Sequence, residues 1–136
     1  MDSEESNEAA ILAAMQVLHR RLNCHWAGVY LLRNGELHLG PFVGPPTEHT
    51  RIAIGQGVCG TAVAEDANQI VRDVRERSNY LACNLETRSE IVVLVRDEAG
   101  SVIGQIDLDG TEVGQFDERH EALLEEIAPL LALRWP

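Results

Sequence analysis

Ser89-Glu90-Ile91-Val92-Val93-Leu94-Val95-Arg96-Asp97-Glu98-Ala99-Gly100-Ser101-Val102-Ile103-Gly104-Gln105-Ile106-Asp107-Leu108-Asp109 decides the fold. Residues 90–96 and 101–109 are rich in valine and isoleucine, and both read as strands. Asp97-Glu98-Ala99-Gly100 between them has turn composition. Two strands so close in sequence must run antiparallel, because a parallel pair needs a crossover of a dozen residues or more. Side chains along a strand alternate between faces. Val102, Gly104, Ile106 and Leu108 therefore share one face. Ile103, Gln105, Asp107 and Asp109 share the other. Glu90 opens the partner strand.

The same alternation appears upstream. Residues 26–32 read as a strand, with Ala27, Val29 and Leu31 on one face and Trp26, Gly28, Tyr30 and Leu32 on the other. Gly28 leaves room between the two aromatic rings. Asn34-Gly35 is a hairpin turn, and 36–40 the returning strand. Before this hairpin, Ile11, Met15, Leu18 and Leu22 recur at helical spacing, so 7–22 reads as an amphipathic helix that Asn23 can stop. Residues 41–50, with three prolines, read as an irregular loop. Short strands follow at 51–54 and 69–71, with an alanine-rich helix at 58–65. Residues 72–89 are polar and aperiodic, a long loop with room for one helical turn.

The last helix starts near Phe116, capped by Asp117. Leu123, Leu124, Ile127, Leu130 and Leu131 read as its apolar face, and Pro129 predicts a kink or break. The sum is an α+β fold on an antiparallel sheet, in one domain spanning 1–136. The terminal helices are expected on one sheet face and a ligand pocket on the other.

Composition narrows the function. The 136 residues carry 22 acidic and 11 basic side chains, a net charge of −11. Such a surface disfavours nucleic acids and anionic membranes, both of which need basic residues. The acidic N-terminus does not resemble a secretory signal, and no apolar run approaches membrane-spanning length, so the expectation is a cytoplasmic protein. Three cysteines in a reducing compartment do not read as a disulfide scaffold. No Cys-x-x-Cys and no histidine–cysteine cluster at zinc spacing occurs, so neither a structural metal nor a cofactor is expected.

Chemistry gathers around two of the thiols. Cys59 follows Gly55-Gln56-Gly57-Val58, a glycine-rich turn running into a helix start. A thiol there feels the positive end of the helix dipole, which favours thiolate. Cys83 lies in a polar loop just ahead of Glu90. Two such thiols, if brought together, can cycle between dithiol and disulfide. Cys24 reads as a buried small hydrophobe. A pocket combining Trp26, Tyr30, Glu90, Asp107, Asp109, Cys59 and Cys83 would suit a small zwitterion with an apolar or thioether tail.

Several runs together resemble a known family: Trp26-Ala27-Gly28-Val29-Tyr30-Leu31, Leu39-Gly40-Pro41-Phe42, Arg51-Ile52, Gly55-Gln56-Gly57-Val58-Cys59-Gly60-Thr61-Ala62, Ala82-Cys83, Ser89-Glu90-Ile91-Val92-Val93, and Val102-Ile103-Gly104 with Asp107-Leu108-Asp109. The chain resembles GAF domains, and specifically the free methionine-(R)-sulfoxide reductases, from about residue 26 to 127. The resemblance implies a GAF-like fold and reduction of free methionine-(R)-sulfoxide. It implies Cys83 as the nucleophile that becomes a sulfenic acid and Cys59 as the thiol that resolves it. Thioredoxin would be the reductant. Glu90, Asp107 and Asp109 would hold the substrate, with Trp26 and Tyr30 as an aromatic wall. A homodimer is the assembly implied, although the short N-terminal extension departs from the family. So does His49, which stands where the family commonly has a third cysteine. A non-catalytic GAF module, binding a small ligand or sensing redox state through Cys59 and Cys83, is the alternative.

Overall fold

The structure, a computed structural model, describes residues 3–77 and 86–136. Its elements in chain order are α1 (Ser3–Arg21), β1 (Trp26–Arg33), β2 (Glu36–Val43), β3 (Arg51–Ala53), α2 (Gly57–Glu65), β4 (Gln69–Val71), β5 (Ser89–Arg96), β6 (Val102–Gly110) and α3 (Glu118–Ala132). A single 3₁₀ turn, Val74–Glu76, sits in the long polar stretch. The strands form one sheet in the order β3-β2-β1-β6-β5-β4, and every pairing is antiparallel.

Local chemistry sets the corners. Asn34 and Gly35 both take positive φ, as the tight hairpin turn requires. Asp97 accepts from the backbone N–H of Ala99 and of Ser101, closing the β5–β6 turn. Asn23, at φ 54°, follows α1 in the left-handed conformation that stops a helix. Asp117 caps α3 and forms a reciprocal capping box with His120.

The two sheet faces build two cores. Ala27, Val29, Leu31, Ile91, Val93, Val95, Ile106 and Leu108 point toward α1 and α3, meeting Ile11, Met15, Leu18, Leu124, Ala128 and Leu131. Trp26, Tyr30, Val92 and Leu94 point the other way, toward Ile52 of β3 and Val58, Cys59 and Ala62 of α2. Both terminal helices thus lie on one face, as the strand alternation predicts.

Four expectations are corrected. Strand β2 continues through Pro41 to Val43 instead of ending at 40. A bulge accommodates the proline: Gly28 pairs with Phe42 and Tyr30 with Leu39, so Gly40 and Pro41 together oppose Val29. Helix α3 runs unbroken across Pro129. Glu125, whose carbonyl loses its usual donor, is exposed, so water can take that bond. Leu123 and Leu130 are 39% and 64% exposed; the buried stripe of α3 is Leu124, Ala128 and Leu131. Finally, Ile103 does not share a face with Asp107. Val95 pairs with Gly104 and Arg96 with Val102, leaving Ile103 as an extra residue that packs on the helix side while Val102 turns to the other.

Candidate functional site

The face opposite the terminal helices carries the polar residues that strand alternation placed there. Register aligns them: Trp26 lies across from Asp109, Gly28 from Asp107 and Tyr30 from Gln105, while Glu90 lies across from Asp109 on the far side of β6. Asp107 and Asp109 are both 0% exposed and Glu90 is 4% exposed. Three carboxyl groups are therefore held inside the protein, where ionised groups are expensive unless paired.

Helix α2 brings Cys59 onto this cluster. Gly55 precedes its first turn and Gly57 opens it, both with positive φ. Gly60 permits the close packing, since a Cβ there would stand 2.3 Å from the Ala53 carbonyl oxygen. The Cys59 thiol lies 3.5 Å from Asp107 Oδ2 and 3.8 Å from Glu90 Oε2, with the S–H as donor. Gln105 Nε2 donates to the Cys59 carbonyl at 3.1 Å, fastening the helix turn to β6. One sulfur and two carboxyl oxygens, from Cys59, Glu90 and Asp107, lie within 4.8 Å of one another, a set able to hold a metal ion.

Burial pushes the Asp109 carboxyl well above the usual aspartate range, and neighbouring Asp107 pushes it further. Burial also raises Asp107, while contact with Glu90 and the Cys59 thiol draws it partly back. Glu90 likewise lies alongside Asp109, without a hydrogen bond of ordinary geometry to it. Oδ1 of Asp107 and both oxygens of Asp109 are buried with no hydrogen-bond partner among the described residues. These acceptors suit a ligand that donates hydrogen bonds.

Aromatic rings close one side. Trp26 stacks on Phe42 at 5.4 Å between centroids and on Tyr30 at 6.3 Å. Gly28 is needed beneath them, because a Cβ there would lie 2.6 Å from both the Trp26 ring and Phe42 Cβ. The Tyr30 hydroxyl donates to the His49 carbonyl at 2.9 Å. Trp26 Nε1 is another buried group without a hydrogen-bond partner among the described residues. His49, Ile52, Gln56, Gly57, Val58, Cys59 and Glu90 line a cavity of about 10 Å³, roughly the room one water takes.

Cys59, Glu90, Asp107, Asp109, Trp26 and Tyr30 thus share one face and its interior. Cys83 lies outside the described residues. His49, the residue at the family's third-cysteine position, also lines the cavity. Gln105 and Phe42 are further members of the site. Gln105 was legible from its place two residues before Asp107; the Phe42 stack depends on the β2 bulge and was not. Cys24 lies on the helix side, donating to the Leu18 carbonyl at 3.7 Å. Burial first, then Asp109 and Asp107, push its thiol up to about 12. A thiol so protonated is a poor nucleophile.

Residues 6–135 match the GAF domain family. This chain belongs to that family. The GAF domain is 39% identical over 134 residues to the free methionine-R-sulfoxide reductase of Escherichia coli, covering 96% of this chain and 79% of that one. Its fold superposes with a TM-score of 0.93 on the type II free methionine-R-sulfoxide reductase of Thermoplasma acidophilum, at 39% identity, covering 98% and 94% of the two chains. It also superposes, at 0.89 and 37% identity, on the free methionine-R-sulfoxide reductase of Neisseria meningitidis in complex with its substrate, covering 95% and 77%. Among the described residues, no helix of the GAF domain is long and apolar enough to cross a membrane.

Proposed function

We propose that this GAF domain reduces free L-methionine-(R)-sulfoxide to methionine. The observation that carries the reading is the buried trio Glu90, Asp107 and Asp109, set beside the Cys59 thiol and under the Trp26–Tyr30–Phe42 stack. The names of its relatives, similar over nearly the whole chain, support it. Buried carboxyls with unmatched acceptors suit an ammonium, and the aromatic rings suit a thioether methyl.

The reaction divides between two thiols. The Cys83 thiolate attacks the sulfoxide sulfur as the sulfoxide oxygen takes up a proton. A pocket carboxyl held protonated by burial is the proton source. The S–S bond so formed then breaks as the hydroxyl moves from the substrate sulfur to Cys83, giving methionine and a cysteine sulfenic acid. Cys59 then attacks that sulfenic acid, forming a Cys59–Cys83 disulfide and releasing water. The dithiol of thioredoxin reduces the disulfide, taking over the two-electron oxidation. A reducing cytoplasm suits this cycle. Residues 1–136 act as one domain, and a homodimer is the assembly expected.

Specificity follows from the ammonium. An N-acetylated or peptide-bound sulfoxide offers a neutral amide and leaves the carboxyls unmatched, at about 1–3 kcal/mol or more per group. A thioredoxin-coupled assay should show turnover of the free R epimer and little of the S epimer or the N-acetyl form. Comparable turnover of N-acetyl-methionine sulfoxide would sink the pocket assignment. Tight ligand binding without turnover would favour the non-catalytic module.

A further inference from the structure

We propose that Cys59, Glu90 and Asp107, backed by Asp109, form a binding site for zinc(II). The geometry comes first. In a tetrahedral zinc site, with Zn–S near 2.3 Å and Zn–O near 2.1 Å, a sulfur and an oxygen ligand stand about 3.6 Å apart. Here Cys59 Sγ stands 3.5 Å from Asp107 Oδ2 and 3.8 Å from Glu90 Oε2. Little movement converts the thiol–carboxyl contacts into a coordination sphere.

The donor chemistry fits the same ion. A thiolate disfavours magnesium and calcium, which take all-oxygen shells, while zinc accepts sulfur and carboxylate together. The second, independent observation is the set of buried acceptors with no hydrogen-bond partner among the described residues: Asp107 Oδ1 and both oxygens of Asp109, on side chains 0% exposed. Asp109 pairs with Glu90 across β5–β6 and lies beside the three-residue cluster, where its unmatched oxygens can hold a metal-bound water. Size is compatible: the cavity beside Cys59, about 10 Å³, has room for one small occupant such as a cation.

Binding would displace the Cys59 thiol proton and any carboxyl proton at the site. Zinc would then occupy the carboxyls assigned above to the substrate's ammonium and sequester the resolving thiol. That consequence, competition with methionine sulfoxide, rests on the proposed function; the metal site itself does not.

The test uses the full chain, reduced, free of substrate and stripped of metal. Cobalt(II) serves as a coloured stand-in for zinc. A thiolate-to-cobalt charge-transfer band should grow to one ion per chain, and zinc should abolish it. Cys59→Ser should remove the band. Asp107→Asn and Glu90→Gln, both near-isosteric, should each weaken binding at least about tenfold. Cys24→Ala and Cys83→Ser should keep the band. No saturable band, a band that survives Cys59→Ser, a band lost with Cys83→Ser, or affinity indifferent to both carboxyl replacements would overturn the site. Circular dichroism on each variant guards against misfolding, and the two carboxyl replacements stand as independent tests if one fails to fold. A separate arm adds free methionine sulfoxide. Zinc affinity should fall as sulfoxide rises; intact zinc binding without competition would overturn the substrate assignment and leave the metal site standing.

Discussion

Replacing Asp109 by Asn should make the protein more stable while destroying its activity. Asp109 is fully buried, both its oxygens lack hydrogen-bond partners among the described residues, and burial with Asp107 beside it raises its pKa. A carboxyl that is harder to ionise in the fold than in the unfolded chain costs stability above its unfolded value. The unfolded chain gives up its proton near pH 3.8, whereas the fold retains it or strains against losing it. The cost is therefore absent below about pH 3.8 and grows as pH rises, until the folded group itself ionises. At about 1.36 kcal/mol per pH unit, it can reach no more than about 4 kcal/mol at pH 7. Asparagine removes the ionisation but keeps a buried polar group that also lacks partners, so a net gain of about 1–3 kcal/mol is expected. For 136 residues, with an unfolding entropy near 2.1 cal/mol/K per residue, that raises Tm by about 4–10 °C. Thermal unfolding of both proteins in chelator-containing buffer, from about pH 4 to about pH 8, is the assay. The variant's advantage should be smallest at the acid end, where only the buried amide's own cost remains, and should grow as pH rises. A variant less stable than wild type at neutral pH, or a gap that does not change with pH, would refute the reasoning.

Three further outcomes are expected. Cys83→Ser should give no methionine even in one turnover, whereas Cys59→Ser should give about one equivalent and then stall, read by single-turnover product analysis. The reverse pattern would exchange the roles. Gly28→Ala should cost about 1–3 kcal/mol by denaturant unfolding, because its Cβ has no room between Trp26 and Phe42, and should raise KM as the stack shifts. An unchanged KM would detach the stack from the substrate. Asp117 is held down to about 2 by the side chain and backbone of Arg119, so its capping contribution is present above pH 3.8 and lost as pH falls toward 2. Asp117→Asn should therefore lower Tm at neutral pH, with the deficit closing between those values.

The legible part of this molecule was the part governed by period two and by turn chemistry. Asp107 and Asp109 stand on one face, and Asn34-Gly35 turns the chain, because both follow from adjacent residues. Trp26, Gly28 and Tyr30 were grouped the same way. The misreadings came where a local rule met a wider context. Pro41 belongs in a strand because two residues of β2 oppose one of β1. Pro129 stays in a helix because the carbonyl it orphans belongs to an exposed residue. Leu123 and Leu130 look like core, yet the stripe that α3 buries runs through Leu124, Ala128 and Leu131 and leaves them outside. The approach of Cys59 to Glu90 spans 31 residues of chain and depends on loop paths that no periodicity encodes.

Strand β6 places Ile106 and Leu108 in the helix-side core and Gln105, Asp107 and Asp109 on the other side. Its length is therefore fixed in register as well as in reach. An insertion or deletion of one residue between 104 and 109 would exchange the sides, driving polar groups into the aliphatic core and leucine into the carboxyl cluster. The extra residue at Ile103 is the point where the strand already tolerates a mismatch in count. Variation in chain length can thus be absorbed at 97–103, around the turn and the bulge, while the six residues that follow are locked. For loop grafting or domain fusion, the β5–β6 turn is the permissive joint, and the C-terminal half of β6 is the part to leave untouched.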